Sequence, residues 1–387
     1  MKYNTTTLDI ATWSGLIIFA TSSVIIPICL PEIRKSIPAT FSESGTIETI
    51  RNFVVLIILL LAGFLVQLWS KKRFIAQGQF LIALGLLMIS FSQSYLMLVS
   101  SILVMGVGGG LSEAFLNPII VDIHPVNTGR YLNLSNAFYP IGIIASAFIF
   151  GELLTMGYSW RTVFRIASIF ALLVAIFFNL LNFPRSTNNE VSSWHTYKLI
   201  LKMRGFWLFA VAIFLGGGIE SALTFWGRSY VQEYLSDIPR AGAIAIMLFA
   251  VSMAVGRLLT EYLSLKLSLK NILLSSTLLG IGIGFLLPLT TTLMEFYSLI
   301  MLAGLATACF WPTILAEANS CLKVNTTILF ILLACTGVIG FGITPMIMGL
   351  IGDSFNLRTS FILVPIFFIA LLFILIIEKR FTKKIFI

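Results

Sequence analysis

Charge is scarce in this chain: Asp, Glu, Lys and Arg together supply 11% of its 387 residues, where a soluble domain carries about 25%. Histidine occurs twice, at His124 and His195, and cysteine four times, at Cys29, Cys309, Cys321 and Cys335, with no CxxC pair. So few scattered ligands exclude a zinc framework and a disulfide scaffold. Both histidines fall in expected cytoplasmic loops, where solvent rather than a metal is their partner. No HExxH, P-loop or nucleophile-elbow motif occurs, and Gly106-Val-Gly108-Gly109-Gly110 lacks the preceding strand and the spacing of a dinucleotide turn. We therefore expect no enzyme, no bound metal and no cofactor. The net charge of +9 is too thinly spread for nucleic-acid binding.

What the chain has is apolar length. Hydrophobic residues make up 58% and the mean hydropathy is +1.00. A membrane-crossing helix needs about 20 mostly apolar residues. Runs from Ile10 to Pro31, Asn52 to Ser70, Ile166 to Pro184, Asn271 to Met294, Phe296 to Ala316 and Thr359 to Ile377 meet this without one charge. Adding runs broken by single charges gives twelve expected spans, near 8–33, 48–69, 74–92, 96–121, 131–154, 162–183, 205–235, 241–262, 268–289, 296–321, 327–351 and 360–376. Helices satisfy every backbone group within one segment in lipid. The expected fold class is all-α, a polytopic membrane protein with 12 transmembrane helices in two six-helix bundles. The run Gly108-Gly-Gly fits close helix packing.

The longest polar stretch between spans, Arg185 to Arg204, divides the chain into an N-terminal bundle (1–184), a cytoplasmic linker (185–204) and a C-terminal bundle (205–387). Two equal halves predict a repeat about a central pathway. With the N-terminus inside, sixteen of the 25 Lys and Arg residues fall in cytoplasmic loops and tails, and only Arg34, Lys35, Arg161, Arg240 and Arg358 on the opposite side. The positive-inside rule thus places both termini in the cytoplasm. The first span is too long for a signal-peptide core and is retained. A bacterial inner membrane is expected.

The informative residues are polar groups within apolar helices. A charge at the bilayer centre costs at least about 2.5–3.5 kcal/mol, so it faces a cavity or a partner. Glu113 in span 4 and Glu220 in span 7 are far from both expected loops. A low-dielectric setting favours the neutral, protonated form of a carboxyl, so both are candidate proton-coupling groups. Glu113 and Asn117 share a helix face, and Asn136 and Tyr139 lie along one stripe of span 5. With Thr224, Trp226 and Arg228 of span 7 and Trp311 of span 10, they form a candidate substrate-binding set. Amides and carboxylates give directional hydrogen bonds, and indoles cover C–H faces. Arg257 with Glu261, and Asp122 with Arg130, are candidate gating ion pairs on the cytoplasmic side.

Ser112-Glu-Ala-Phe-Leu-Asn-Pro118 and Leu132-Asn-Leu-Ser-Asn-Ala-Phe-Tyr-Pro-Ile-Gly142 are similar to the span 4 and span 5 motifs of the fucose–galactose–glucose:proton symporter family. Twelve spans in two halves with a basic central loop resemble the major facilitator superfamily over the whole chain. The resemblance implies the major facilitator fold, with Glu113 matching the family's essential span 4 acid and Asn136 a polar amide. The family's span 1 aspartate has no counterpart in Thr21-Ser22-Ser23-Val24, and Glu220 is a candidate replacement. The expected function is secondary active transport of a small polar solute, a sugar, by proton-coupled alternating access, with sodium the other candidate ion. The expected partners are the small-molecule solute, the proton and the lipid bilayer, and the protein is expected to be a monomer. A proton-coupled exporter of drugs, lipids or other metabolites and a non-transporting receptor are the alternatives.

Overall fold

The computed structural model describes residues 4–65, 69–126, 128–184, 194–324 and 326–385. Among them there is no strand. In chain order the helices are α1 (Thr5–Ser36), α2 (Phe41–Leu65), α3 (Lys71–Phe91), α4 (Tyr95–Ile123), α5 (Thr128–Asn136), α6 (Phe138–Thr155), α7 (Trp160–Leu180) and α8 (Trp194–Lys202), followed by α9 (Arg204–Tyr234), α10 (Pro239–Ser264), α11 (Leu269–Leu286), α12 (Leu293–Thr307), α13 (Phe310–Leu322), α14 (Thr326–Ser354), α15 (Leu357–Ser360) and α16 (Leu363–Ile385). Among the described residues twelve stretches are long and apolar enough to cross a membrane, in the order read from the hydropathy, and the chain is an integral multi-pass membrane protein. Of the expected linker, residues 185–193 lie outside the described residues, and α8 occupies most of the remainder.

The fifth and tenth spans are each broken into two helices, for one shared reason. A proline nitrogen carries no hydrogen, so the carbonyl four residues earlier loses its helical donor. Pro140 does this to Asn136, and the fifth span breaks there into α5 and α6. Pro312 does it to Ala308, and the tenth span breaks into α12 and α13. Pro345 frees the Phe341 carbonyl without ending α14, because the Ser221 hydroxyl of α9 donates to it. α12 starts from a full capping box, in which Thr292 Oγ1 accepts from Glu295 N–H and the Glu295 carboxylate accepts from Thr292 N–H.

The chain forms two compact units. The first comprises Met1–Ala39, Ile50–Val191 and Ile238–Ile244, and the second Thr40–Thr49, Ser192–Asp237 and Ala245–Ile387. Each therefore includes a short helix start from the other half of the sequence. In the second unit, the start of α2 lies against α14 so closely that a Cβ on Gly349 would fall 2.4 Å from the Phe41 carbonyl oxygen. The Asp353 carboxylate accepts from Phe41 N–H at 2.7 Å and Ser42 N–H at 2.9 Å, supplying acceptors to the free amides at the start of α2. In the first unit, the start of α10 is tied to α6 by Arg240 N–H donating to Thr155 Oγ1 at 2.9 Å.

The core of the first unit is built around α3 and α4. The triple glycine has the packing role read from the sequence: a Cβ on Gly108 would sit 2.5 Å from the Gly78 carbonyl oxygen of α3. Around this contact Phe74, Ile75, Leu111, Phe115, Leu116, Ile119 and Phe178 form a buried apolar cluster. In the second unit α9 and α14 approach equally closely at Gly340, whose Cβ would fall 2.0 Å from the Phe214 carbonyl oxygen.

Candidate functional site

The face of α4 that carries Gly109 also carries Glu113 and Asn117, four residues apart in turn. Phe19 of α1 lies over that face, 3.8 Å from where a Gly109 Cβ would stand. Glu113 is exposed and Asn117 half-buried. Among the described residues the Glu113 carboxyl makes no hydrogen bond or close ion pair, and the charge acting on it is the buried Arg51 of α2. An accessible carboxyl in mid-helix, within the field of a guanidinium but not locked to it, is free to take up a ligand group or a proton.

The broken fifth span supplies the next groups. Asn136, last residue of α5, donates its amide to Asn117 Oδ1 at 3.0 Å and to the Leu132 carbonyl at 2.9 Å. Three residues on, Tyr139 OH and Ser23 Oγ of α1 lie 3.1 Å apart, and the Tyr139 ring leans on Phe19 with centroids 5.5 Å apart. Glu113, Asn117, Asn136, Tyr139, Ser23 and Phe19 thus form one connected patch of partly exposed groups within the first unit. Four of them were candidates from the sequence. Ser23 and Phe19 were not, and the only sequence signal was a hydroxyl in the stretch where the family resemblance leads one to look for an acid.

Behind this patch lies a buried network that hydropathy hides. Gln79 of α3, wholly buried, donates to the Gly15 carbonyl at 3.3 Å and to Ser112 Oγ at 3.1 Å. The residue before Glu113 is thereby tied to α3 and, through Gln79, to α1.

The second unit holds the other intramembrane acid. Glu220 and Thr224 share a half-buried face of α9, with Thr224 Oγ1 donating to the Glu220 carbonyl at 2.9 Å. The charge acting on Glu220 is Arg257 of α10, and this corrects the expected Arg257–Glu261 pair. Arg257 donates to Met253 Sδ at 3.5 Å and makes no ion pair with Glu261, which is exposed. The one-turn spacing on α10 makes no pair, and the acid that feels the Arg257 charge is on α9.

Trp226 and Arg228 are wholly buried, and the Trp226 indole N–H donates to the Pro345 carbonyl at 3.1 Å. Six residues beyond Glu220, Trp226 lies about 120° round the helix from it, so in this structure it is a packing group without a face for solute. Arg228 is likewise enclosed. Trp311 is half-buried with its ring edge over Gly337, where a Cβ would lie 2.4 Å away. Thr224 keeps its place beside Glu220, whereas Trp226 and Arg228 do not join it on an accessible surface.

The second expected gate is also rearranged. Asp122 is paired with Lys71 at 2.8 Å, and Arg130 is exposed with no ion pair among the described residues. The Lys71 ammonium comes from the start of α3, which packs alongside α4. His124, expected in solvent, is buried: its Nε2 lies 2.7 Å from Asp9 Oδ1, and its ring stacks on Tyr131 at 3.5 Å between centroids. Among the described residues no cluster of three or more His, Cys, Asp or Glu could hold a metal ion. The side chains of Asn133 and His195 lie outside the description.

The chain is similar to the Membrane protein MosC of Rhizobium meliloti, 21% identical over 336 residues covering 87% of this chain and 81% of that one. It is also similar to the Glucose/galactose transporter of Brucella abortus biovar 1 (strain 9-941), 23% identical over 365 residues, with 87% and 85% covered. Among solved structures, a bacterial homolog of the human lysosomal transporter Spinster, inward-facing and occupied, matches with a TM-score of 0.83 at 14% identity over 98% of both chains. The E. coli fucose:proton symporter FucP matches with a TM-score of 0.66 at 20% identity over 96% of this chain and 98% of that one. Residues 12–320 match the model of the Major Facilitator Superfamily. With twelve spans, no strand among the described residues and that match over most of its length, the chain belongs to the Major Facilitator Superfamily and is a membrane transporter.

Proposed function

We propose that this transporter moves a small polyhydroxylated solute, a sugar, by proton-coupled alternating access, with Glu113 as the coupling acid and Glu220 as the second. The observation that carries the reading is the patch on the first unit. One accessible carboxyl, two amides and two hydroxyls (Glu113, Asn117, Asn136, Tyr139 and Ser23) lie beside the aromatic ring of Phe19. Amides and a phenol both donate and accept, as sugar hydroxyls do, and an aromatic face covers the C–H face of a pyranose ring. A relative named for glucose and galactose and a structural neighbour named for fucose and protons are consistent with that chemistry.

The coupling follows from the two charge states of Glu113. Ionised, it is held in the field of Arg51. Protonated, it is a neutral donor and acceptor that binds a sugar hydroxyl without leaving a bare charge in a dry site. Proton and solute then favour the same state, which is what coupling requires. We place both termini in the cytoplasm and the protein in a bacterial inner membrane, on the distribution of Lys and Arg.

The test is uptake into proteoliposomes under an imposed pH gradient, with hexoses as solutes. Glu113→Gln should abolish gradient-driven accumulation while leaving solute counterflow measurable. Gradient-driven uptake by Glu113→Gln at the wild-type rate would overturn the coupling role, and competition by hydrophobic cations rather than hexoses would overturn the substrate class.

A further inference from the structure

α7 starts at Trp160, with the Ser159 hydroxyl accepting from Arg161 N–H. Arg165, Ile169, Leu172 and Ile176 form one exposed stripe along it, at the three- and four-residue spacing of a helix face. The opposite face, with Val163, Phe164, Ala167, Ala171 and Ala175, is buried. In a spanning helix the exposed stripe meets lipid chains, and Arg165 is a charge set into it.

The position of Arg165 is specific. Its Cα lies about 7.5 Å along the axis from the start of the helix. Helical side chains lean toward the N-terminus, so the guanidinium reaches back toward the boundary where α7 begins. It lies 5.1 Å over the ring of Phe91, the last residue of α3, which is itself 57% exposed. One turn earlier, the Arg161 guanidinium lies 4.3 Å over the Trp160 ring and donates to the Ser92 carbonyl at 2.9 Å. Two like charges at i and i+4 repel. Yet among the described residues neither has a carboxylate partner, and none supplies the Arg165 guanidinium with a hydrogen-bond acceptor.

A guanidinium carries five donors in a planar fork suited to phosphate oxygens, and leaving them unmet against hydrocarbon is costly. We propose that Arg165, with Arg161, binds the phosphate of a membrane phospholipid whose acyl chains lie along Ile169, Leu172 and Ile176. The phosphate would answer both charges, and the ring of Phe91 would floor the site. A lipid is favoured over a free phosphate because the apolar stripe continues directly from the cation, the order of groups in a phospholipid.

The test compares wild type, Arg165→Gln, Arg165→Lys and Arg161→Gln/Arg165→Gln, all purified in detergent and equilibrated with phosphatidylglycerol. Retained lipid is read by native mass spectrometry. Arg165→Gln should lower retained lipid about tenfold, the size expected for one charge-assisted contact. Arg165→Lys should retain an intermediate amount, and inorganic phosphate at equal concentration should not displace the lipid. Equal retention by wild type and the double variant would overturn the proposal, as would displacement of the lipid by inorganic phosphate. Arg165 is exposed, so its variants leave the core intact, and thermal midpoints within about 2–3 °C of wild type check that.

Discussion

Asn136 on α5 donates its side-chain amide to Asn117 on α4 at 3.0 Å, and the bond joins the break in the fifth span to the face that carries Glu113. Discontinuous helices in transporters place backbone and amide groups at mid-membrane depth, where a polar solute needs them. Here Pro140 produces the break and Asn136 caps it. If this pair positions the solute, Asn117→Ala and Asn136→Ala should each raise the half-saturation concentration for uptake by roughly tenfold, one directional hydrogen bond's worth. The fall in stability should be smaller, about 0.6 kcal/mol as interhelical hydrogen bonds average in membranes. Uptake kinetics and thermal midpoints on the same preparations separate the two effects.

The buried pair of Asp9 and His124, 2.7 Å apart under the ring of Tyr131, predicts the opposite balance. It ties the start of α1 to the end of α4 and lies at the helix ends, away from the polar patch. Asp9→Ala strands a buried imidazole, and His124→Ala strands a buried carboxylate. Each should cost about 1–3 kcal/mol, the penalty for an orphaned buried group. Thermal unfolding in detergent should show the loss for both, with little change in the half-saturation concentration.

Two glycines of similar appearance in the sequence should respond differently to a methyl group. At Gly108 a Cβ would sit 2.5 Å from the backbone oxygen of Gly78, whereas at Gly227 nothing lies within 4 Å. Backbone cannot give way as a side chain does, so Gly108→Ala should destabilise by about 1–3 kcal/mol. Gly227→Ala should be neutral or stabilise by up to about 1 kcal/mol through helix propensity. Paired thermal midpoints decide it.

The spans were legible because hydropathy is a local sum, and twelve apolar stretches read the same in isolation as in the fold. Proline effects were only half legible. Pro140 and Pro312 end helices, but Pro27, Pro31, Pro118 and Pro345 lie inside helices that continue. At Pro345 the surroundings answer the loss: the carbonyl it frees accepts from the Ser221 hydroxyl of another helix. Ion pairs were least legible. Arg257 has an acid one turn away in Glu261 but lies in the field of Glu220, and Asp122 is close in sequence to Arg130 but pairs with Lys71. Lys71 and Glu220 each lie on a different helix from the group they act on, and sequence spacing records only the helix a residue is on. The burial of Trp226 was equally hidden, because its neighbours in sequence are polar while its indole turns in toward the Pro345 carbonyl.

Glu220 and Arg257 lead to a prediction about charge rather than geometry. Opposite charges in a low-dielectric setting support one another, so removing one leaves the other uncompensated, whereas removing both is far milder. If the pair is needed for the transport cycle only as a neutral unit, Arg257→Gln should lower uptake more than tenfold by leaving an isolated carboxylate on α9. Glu220→Gln/Arg257→Gln should then recover much of the lost rate. If Glu220 instead carries a proton in the cycle, the double variant should regain stability and solute counterflow but not pH-driven accumulation. Uptake and counterflow measured on the same proteoliposomes distinguish these results, because counterflow needs the moving protein and the solute site but no net proton transfer.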